Sequence, residues 1–160
     1  MLPLVTYPDP RLRKQSVEVT LFDQKLANFA QEMNVVMIAH DGIGLAAPQV
    51  GRNERVIIVK AEVSEYRVYV NPTITFYSKK IIPSEEGCLS IPGVFGTVKR
   101  SVKVHMKYQD IHGKKQTLKA KGMEAIILQH EVDHINGILI LDRNITLVKG
   151  AEFLEPRKKR

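Results

Sequence analysis

Two kinds of hydrophobic spacing alternate along the chain. Phe22, Leu26, Phe29, Met33, Val36 and Met37 recur every three or four residues, the spacing of a helix with one buried face. Thr20 and Asp23 precede this run as a capping pair, and the pattern predicts a helix of about five turns that closes near His40. Asp41-Gly42-Ile43-Gly44 ends it, with two glycines that permit positive φ and close approach of another backbone. Strand-like segments follow at 55–60, at 66–70 and 73–77 on either side of Asn71-Pro72, and at 98–108, which alternates around Val98, Val102, Val104 and Met106. Asp110-Ile111-His112-Gly113 reads as a hairpin turn with its return strand at 116–121. A second helical run covers 123–136, Gly137 is its expected C-cap, and the apolar segment 138–141 is expected to fold back onto the body. Tyr7-Pro8-Asp9-Pro10 is turn chemistry that keeps the N-terminal arm extended. Helix, several short strands, then a central helix predicts an α+β domain. Its antiparallel β-sheets are packed around that central helix, with the amphipathic helix on the N-terminal side.

Composition narrows the class. The 160 residues are 44% hydrophobic and 26% charged, the balance of a soluble globular protein. The expected division is a single catalytic domain at 1–147 and a short basic tail at 148–160. No apolar run reaches membrane-spanning length, and Met1-Leu2-Pro3-Leu4 lacks a basic region ahead of an apolar one, so neither a membrane span nor a secretory signal is expected. Cys88 is the single cysteine, which excludes a disulfide framework and suits a reducing, cytoplasmic setting. The net charge of +7 is uneven: residues 81–160 carry 14 Lys/Arg against 9 Asp/Glu, and Arg157-Lys158-Lys159-Arg160 closes the chain. Such a balance suits contact with RNA-rich or anionic surfaces, and equally a solvated surface with a frayed tail. No aromatic-interleaved basic motif of a nucleic-acid module is visible.

The sharpest chemical signal is Gln129-His130-Glu131-Val132-Asp133-His134. A lone helical histidine is ordinarily a surface or satisfied core residue. Two at i and i+4, however, present both imidazoles to one point. Glu131 lies about 100° around the helix from His130, beside that point. Two ligands with an adjacent base are what metal-assisted hydrolysis needs. The third ligand must come from elsewhere. Position 140, six residues after His134, is Ile. Glu152 and Glu155 are followed by Pro156 and a basic tail, which leaves no room for a ligand-bearing helix. Cys88 remains, in Glu85-Glu86-Gly87-Cys88-Leu89-Ser90. A single cysteine is by default a small buried hydrophobe, but a thiolate is a strong soft ligand and Gly87 lets the backbone come close. Cysteine, two histidines and a water make an open tetrahedral site.

Three segments in one order, Gly42-Ile43-Gly44-Leu45-Ala46-Ala47-Pro48-Gln49, Glu86-Gly87-Cys88-Leu89-Ser90 and Gln129 to His134, closely resemble peptide deformylase. The likeness extends from Tyr7-Pro8-Asp9-Pro10-Arg11-Leu12 through Gly137. The family removes the formyl group from the formylmethionine that begins nascent bacterial-type proteins, releasing formate. The resemblance implies that Cys88, His130 and His134 bind the metal and that metal-bound water attacks the formyl carbon. Glu131 is implied as general base and then acid, with the Gln49 side chain and the Leu89 N–H stabilising the oxyanion. The Gly42–Gly44 backbone is expected to pair with the substrate main chain, and Ile43, Glu86, Met123, Ile126 and Ile127 to wall the methionine pocket, with plain core packing as their alternative. Ligand type admits Fe²⁺, Zn²⁺, Ni²⁺ or Co²⁺, and the resemblance favours Fe²⁺. Implied partners are formylmethionyl nascent peptides and a transient ribosome contact through the basic surface, with no membrane, no specific nucleic acid and a monomeric state. The chain departs from the pattern at Phe95, where many members carry Arg near the channel mouth, at Ile135 in place of the commoner Leu, and in a tail too short for a long C-terminal helix. Arg100 and Asp133 fit the pattern as a charge pair behind the site.

Overall fold

The computed structural model describes residues 1–60 and 65–156, so the Arg157-Lys158-Lys159-Arg160 end of the expected tail lies outside the described residues. Among the described residues two α-helices form: α1 at Gln24–Ala39 and α2 at Gly122–Ile135. Asp23 alone caps α1, its carboxylate accepting from Leu26 N at 3.0 Å. The capping pair expected with Thr20 is therefore reduced to one residue. The predicted stripe is buried at Leu26, Phe29, Met33, Val36 and Met37. At the end of α2, Gly137 takes φ 74°. Its N–H bonds to His134 O at 3.1 Å and that of Ile138 to Asp133 O at 2.9 Å, the paired bonds of a glycine-terminated helix.

Strands β1 (Gly44–Ala46), β2 (Val56–Val59), β3 (Arg67–Tyr77), β6 (Lys103–Gln109) and β7 (Lys115–Lys121) make an antiparallel sheet in the order β1-β2-β3-β6-β7. Strands β4 (Ile81–Cys88), β5 (Ile91–Ser101) and β8 (Thr146–Lys149) make a second, ordered β4-β5-β8. The α+β class and the antiparallel sheets about a central helix are as predicted. β2 shows why: Val56 and Ile58 join the core under α1, while Ile57 and Val59 join the core under α2. A strand buried on both faces reads as a continuous apolar run.

Several elements differ from the sequence pattern. The single strand expected at 98–108 is two strands in different sheets, with the crossing at Ser101 and Val102. Gln129 of α2 stands in for a neighbouring strand there, accepting from Ser101 N at 3.0 Å and donating to Ser101 O at 2.8 Å. Strands 66–70 and 73–77 are one strand with a register shift after Val70, where Asn71 adopts φ 51°. β1, β4 and β8 carry no usable pattern of their own. The domain boundary expected at Leu147 falls inside β8, which pairs with β5 through Leu147↔Gly96. The 138–141 segment folds back as expected, with Leu139 and Ile140 buried beside Val94 and Val98. The N-terminal arm ties the two sheets together: Val5 N donates to Gln49 O and Tyr7 N to Ser90 O, both at 2.7 Å.

Candidate metal centre and groove

Helix α2 has two chemically different sides. Ala125, Leu128, Val132 and Ile135 pack on the five-stranded sheet with Ile57, Tyr69, Val104 and Met106. The opposite side presents buried Glu131, Asp133 and His134, with His130 at its edge, toward the β4–β5 hairpin. Cys88 ends β4, and the short turn Leu89-Ser90 leads into β5. This brings Cys88 Sγ to 3.3 Å from His134 Nε2, which is itself 3.3 Å from His130 Nε2. All three ligand atoms lie within 4.8 Å of one another. Tetrahedral ligands at ordinary zinc distances stand roughly 3.3–3.6 Å apart. The donor set therefore fits a divalent cation in both spacing and softness. Glu152 and Glu155 do not belong to this cluster.

His130 is oriented from behind, as ligand histidines usually are. Its Nδ1 lies 2.9 Å from Glu86 Oε1. Arg100 grips Glu86 with two bonds of 2.8 and 2.9 Å and reaches Asp133 at 2.9 Å, while Arg143 holds Asp133 at 2.6 and 3.0 Å. The expected Arg100–Asp133 pair is thus part of a four-member network. Burial opposes the charge on Glu86, but the bonds from Arg100 and His130 outweigh it and hold Glu86 at about 2. Burial pushes Glu131 the other way, to about 7, against the pull of the neighbouring His130. Glu131 Oε1 is 3.8 Å from His130 Nε2, and its Oε2 is buried without a hydrogen-bond partner. Burial and the neighbouring His130 charge hold His134 well below its ordinary value, so its imidazole is the neutral, ligand-competent form.

A groove of about 860 Å³ opens above these groups. Gly42, Ile43, Gly44, Gln49, Glu86, Cys88, Leu89, Met123, Ile126, Ile127, His130 and Glu131 all line it, while His134 lies beneath, buried. Gln49 accepts from Ala46 N at 2.9 Å and donates to Ser90 Oγ at 3.2 Å, with its amide nitrogen 3.7 Å from Cys88 Sγ. It therefore couples β1 to the cysteine turn. Glu86 borders the groove, but its carboxylate faces Arg100 and His130, so it orients the His130 imidazole and presents no apolar surface there. Gly44 is where glycine is required: an added Cβ would lie 2.9 Å from Glu131 Cγ and 3.0 Å from Ile127 Cγ2. Phe95, 44% exposed, lies across β4 from Gly87, where a Cβ would meet its ring at 2.7 Å, and Lys149 Nζ sits 4.5 Å from the ring centre. Sequence reasoning missed Arg143 in the network and Leu4 and Thr6 on the groove wall. The arm and the segment after α2 reach the site only through tertiary contacts, so no local signal marks them.

The family model described as Polypeptide deformylase matches residues 1–149. The peptide deformylase of Wolinella succinogenes is 43% identical over 168 residues, covering 100% of this chain and 97% of that one. That of Brucella suis is 44% identical over 161 residues, covering 98% of this chain and 91% of the other. The crystal structure of peptide deformylase from Thermotoga maritima superposes with a TM-score of 0.87 at 38% identity, covering 89% of this chain and 97% of that one.

Proposed function

The chain belongs to the peptide deformylase family, metal-dependent hydrolases that remove the N-formyl group from nascent peptides, and we propose that its own residues divide that work as follows. Cys88, as thiolate, and His130 and His134, through Nε2, hold the divalent ion. When bound, the ion supplies Lewis-acid polarisation and lowers the pKa of water at the site. Glu131 takes a proton from the attacking water and delivers it to the leaving amine. A carboxyl group held at about 7 suits a role that alternates between base and acid near neutral pH. The Gln49 amide and the Leu89 N–H donate to the formyl oxygen as charge grows on it. Gln49 is pre-positioned for this by Ala46 and Ser90.

The backbone at Gly42–Gly44 pairs with the substrate main chain as an added strand, which leaves later side chains free to vary. Ile43, Met123, Ile126 and Ile127 enclose the methionine side chain. Ile43 and Met123 are exposed at the groove and Ile127 is buried below them. Glu86 belongs with the ligand-orienting groups. Fe²⁺ is the proposed working ion, with Zn²⁺, Ni²⁺ and Co²⁺ compatible with the same donors. The enzyme is proposed to act as a cytoplasmic monomer on chains leaving the ribosome. A reduced Cys88 is required for the site, which suits that compartment, and among the described residues no helix is long and apolar enough to cross a membrane.

The observation that carries this reading is the convergence of three donors within 4.8 Å beside a buried, unpartnered carboxylate oxygen on the floor of the groove. Protein purified without oxygen and analysed for metal is expected to contain one Fe²⁺ and to release formate from formyl-Met-Ala-Ser. Glu131→Gln is expected to lower that rate by about 10²–10⁴-fold with the metal retained. Full activity in this variant would overturn the assignment.

A further inference from the structure

The five-stranded sheet is covered unequally on the side of α1. The core beneath α1 takes Leu45 from β1, Val56 and Ile58 from β2 and Val70 from β3, and none of its buried members comes from β6 or β7. On β6 and β7 the residues facing α2 are apolar: Val104 and Met106, with Leu118 and Ala120. Strand alternation sends the intervening residues to the uncovered side. There, Lys103 lies opposite Lys121, His105 opposite Lys119, Lys107 opposite Thr117, and Gln109 opposite Lys115. All five lysines are exposed. Among the described residues none forms an ion pair, and β3, β6 and β7 contain no aspartate or glutamate. Like charges placed directly across a ladder weaken it, so this arrangement gains nothing within the fold.

One aromatic stands in this cationic field. Phe76 of β3 lies across from His105, their ring centres 4.6 Å apart, and it remains 45% exposed. Lysines along β7 spread over roughly 20 Å, enough to follow several phosphates of an extended strand. An exposed ring among unpaired cations is how sequence-tolerant single-strand binders hold backbone and base together.

We propose that this open half of the sheet is a docking face for single-stranded RNA, with phosphates on Lys103, Lys107, Lys115, Lys119 and Lys121 and a base stacked on Phe76. The choice of RNA rests on the reading that the substrate is a nascent chain, made on an RNA-rich particle. Among the described residues no helix or ribbon projects from the face to read base edges, so binding is sequence-tolerant and strongly salt-dependent.

The test uses the full-length metal-loaded protein and a fluorescein-labelled single-stranded RNA of about 15 nucleotides, followed by anisotropy between about 50 and 200 mM salt. The joint variant Lys107→Ala, Lys119→Ala, Lys121→Ala is expected to flatten the log–log salt slope by about 2, at about 0.7 per lost phosphate contact. Phe76→Ala is expected to weaken binding about fivefold or more with the slope unchanged. Formate release from formyl-Met-Ala-Ser stays at the wild-type rate in both. RNA binding that is absent, or unaltered in the lysine variant, overturns the proposal. So does lysine-dependent binding to phosphatidylserine vesicles without binding to RNA, which would assign the face to a lipid surface. Absent formate release in the wild type would refute the enzymatic reading and leave the anisotropy result standing.

Discussion

The two sheets of this protein are built on opposite terms. In the five-stranded sheet, every residue of the central strand β2 is buried, with apolar side chains on both faces of that strand. It contributes one short edge, β1, to the groove, and its main task is to hold α2 by that helix's apolar side. In the three-stranded sheet, Glu86 is the one buried residue of β4, and all of β8 is exposed. Yet this thinner sheet and its β4–β5 turn carry Glu86, Cys88, Leu89 and Phe95. The joint between the two is polar, with Cys88 against His134, Glu86 against His130, and Arg100 against Asp133. Glu86, Arg100 and Asp133 satisfy one another in this joint, while His134 Nδ1 is buried without a partner. The division lets a robust apolar scaffold fix two imidazoles and the Glu131 carboxylate, while a hairpin brings the Cys88 thiol to them.

Each half of that contrast can be broken separately. Cys88→Ala is expected to lose the metal and about a thousandfold or more of formate release, the several kcal/mol that a Lewis acid contributes. Because Cys88 is only half-buried at the hairpin end, the unfolding free energy of the metal-free protein should move by less than about 1 kcal/mol. Metal retained at full stoichiometry in this variant would refute the shared site. Leu128→Ala removes a fully buried side chain from the scaffold side of α2. A loss of about 2–5 kcal/mol in urea unfolding is expected, with formate release per folded molecule unchanged.

Gly44→Ala tests the edge where scaffold and site meet, since its Cβ would lie 2.9 Å from Glu131 Cγ. Displacing that carboxylate is expected to lower kcat/KM by about 10–100-fold. An unchanged rate would show that Glu131 has room to yield. The smallest effect concerns the polar joint. Glu86 is held at about 2, below its ordinary value of 4.5. Its ionised form therefore adds stability that is complete above about 4.5 and is lost as pH falls toward 2. Glu86→Gln is expected to flatten the acid limb of a pH–stability profile across that window. An identical limb would mean that the network contributes nothing to folding.

What could be read locally was what obeys a local rule. The stripe of α1, the all-apolar β2, the β6–β7 hairpin and the Gly137 end of α2 each follow from spacing, capping or turn chemistry, and each appears in the structure. β4 was illegible because its residues, Ile-Ile-Pro-Ser-Glu-Glu-Gly-Cys, have no alternation to detect. It is a strand because β5 pairs with it over eight positions. The false continuity of 98–108 has a similar origin: apolar alternation carries across Ser101, and only the Gln129 side chain reveals the change of sheet.

Spacing and capping alone specify the two helices, the apolar strands, and a helix that offers two imidazoles and a carboxylate to one point. Those features depend on neighbours three, four or two residues away. Tertiary structure alone decided that Cys88 meets His134 at 3.3 Å, that the Glu86 carboxylate meets His130 at 2.9 Å, and that lysines from two strands share one open face. The two site contacts join residues 46 and 44 positions apart, and the hydrogen bonds that make them are satisfied across the fold, not along the chain.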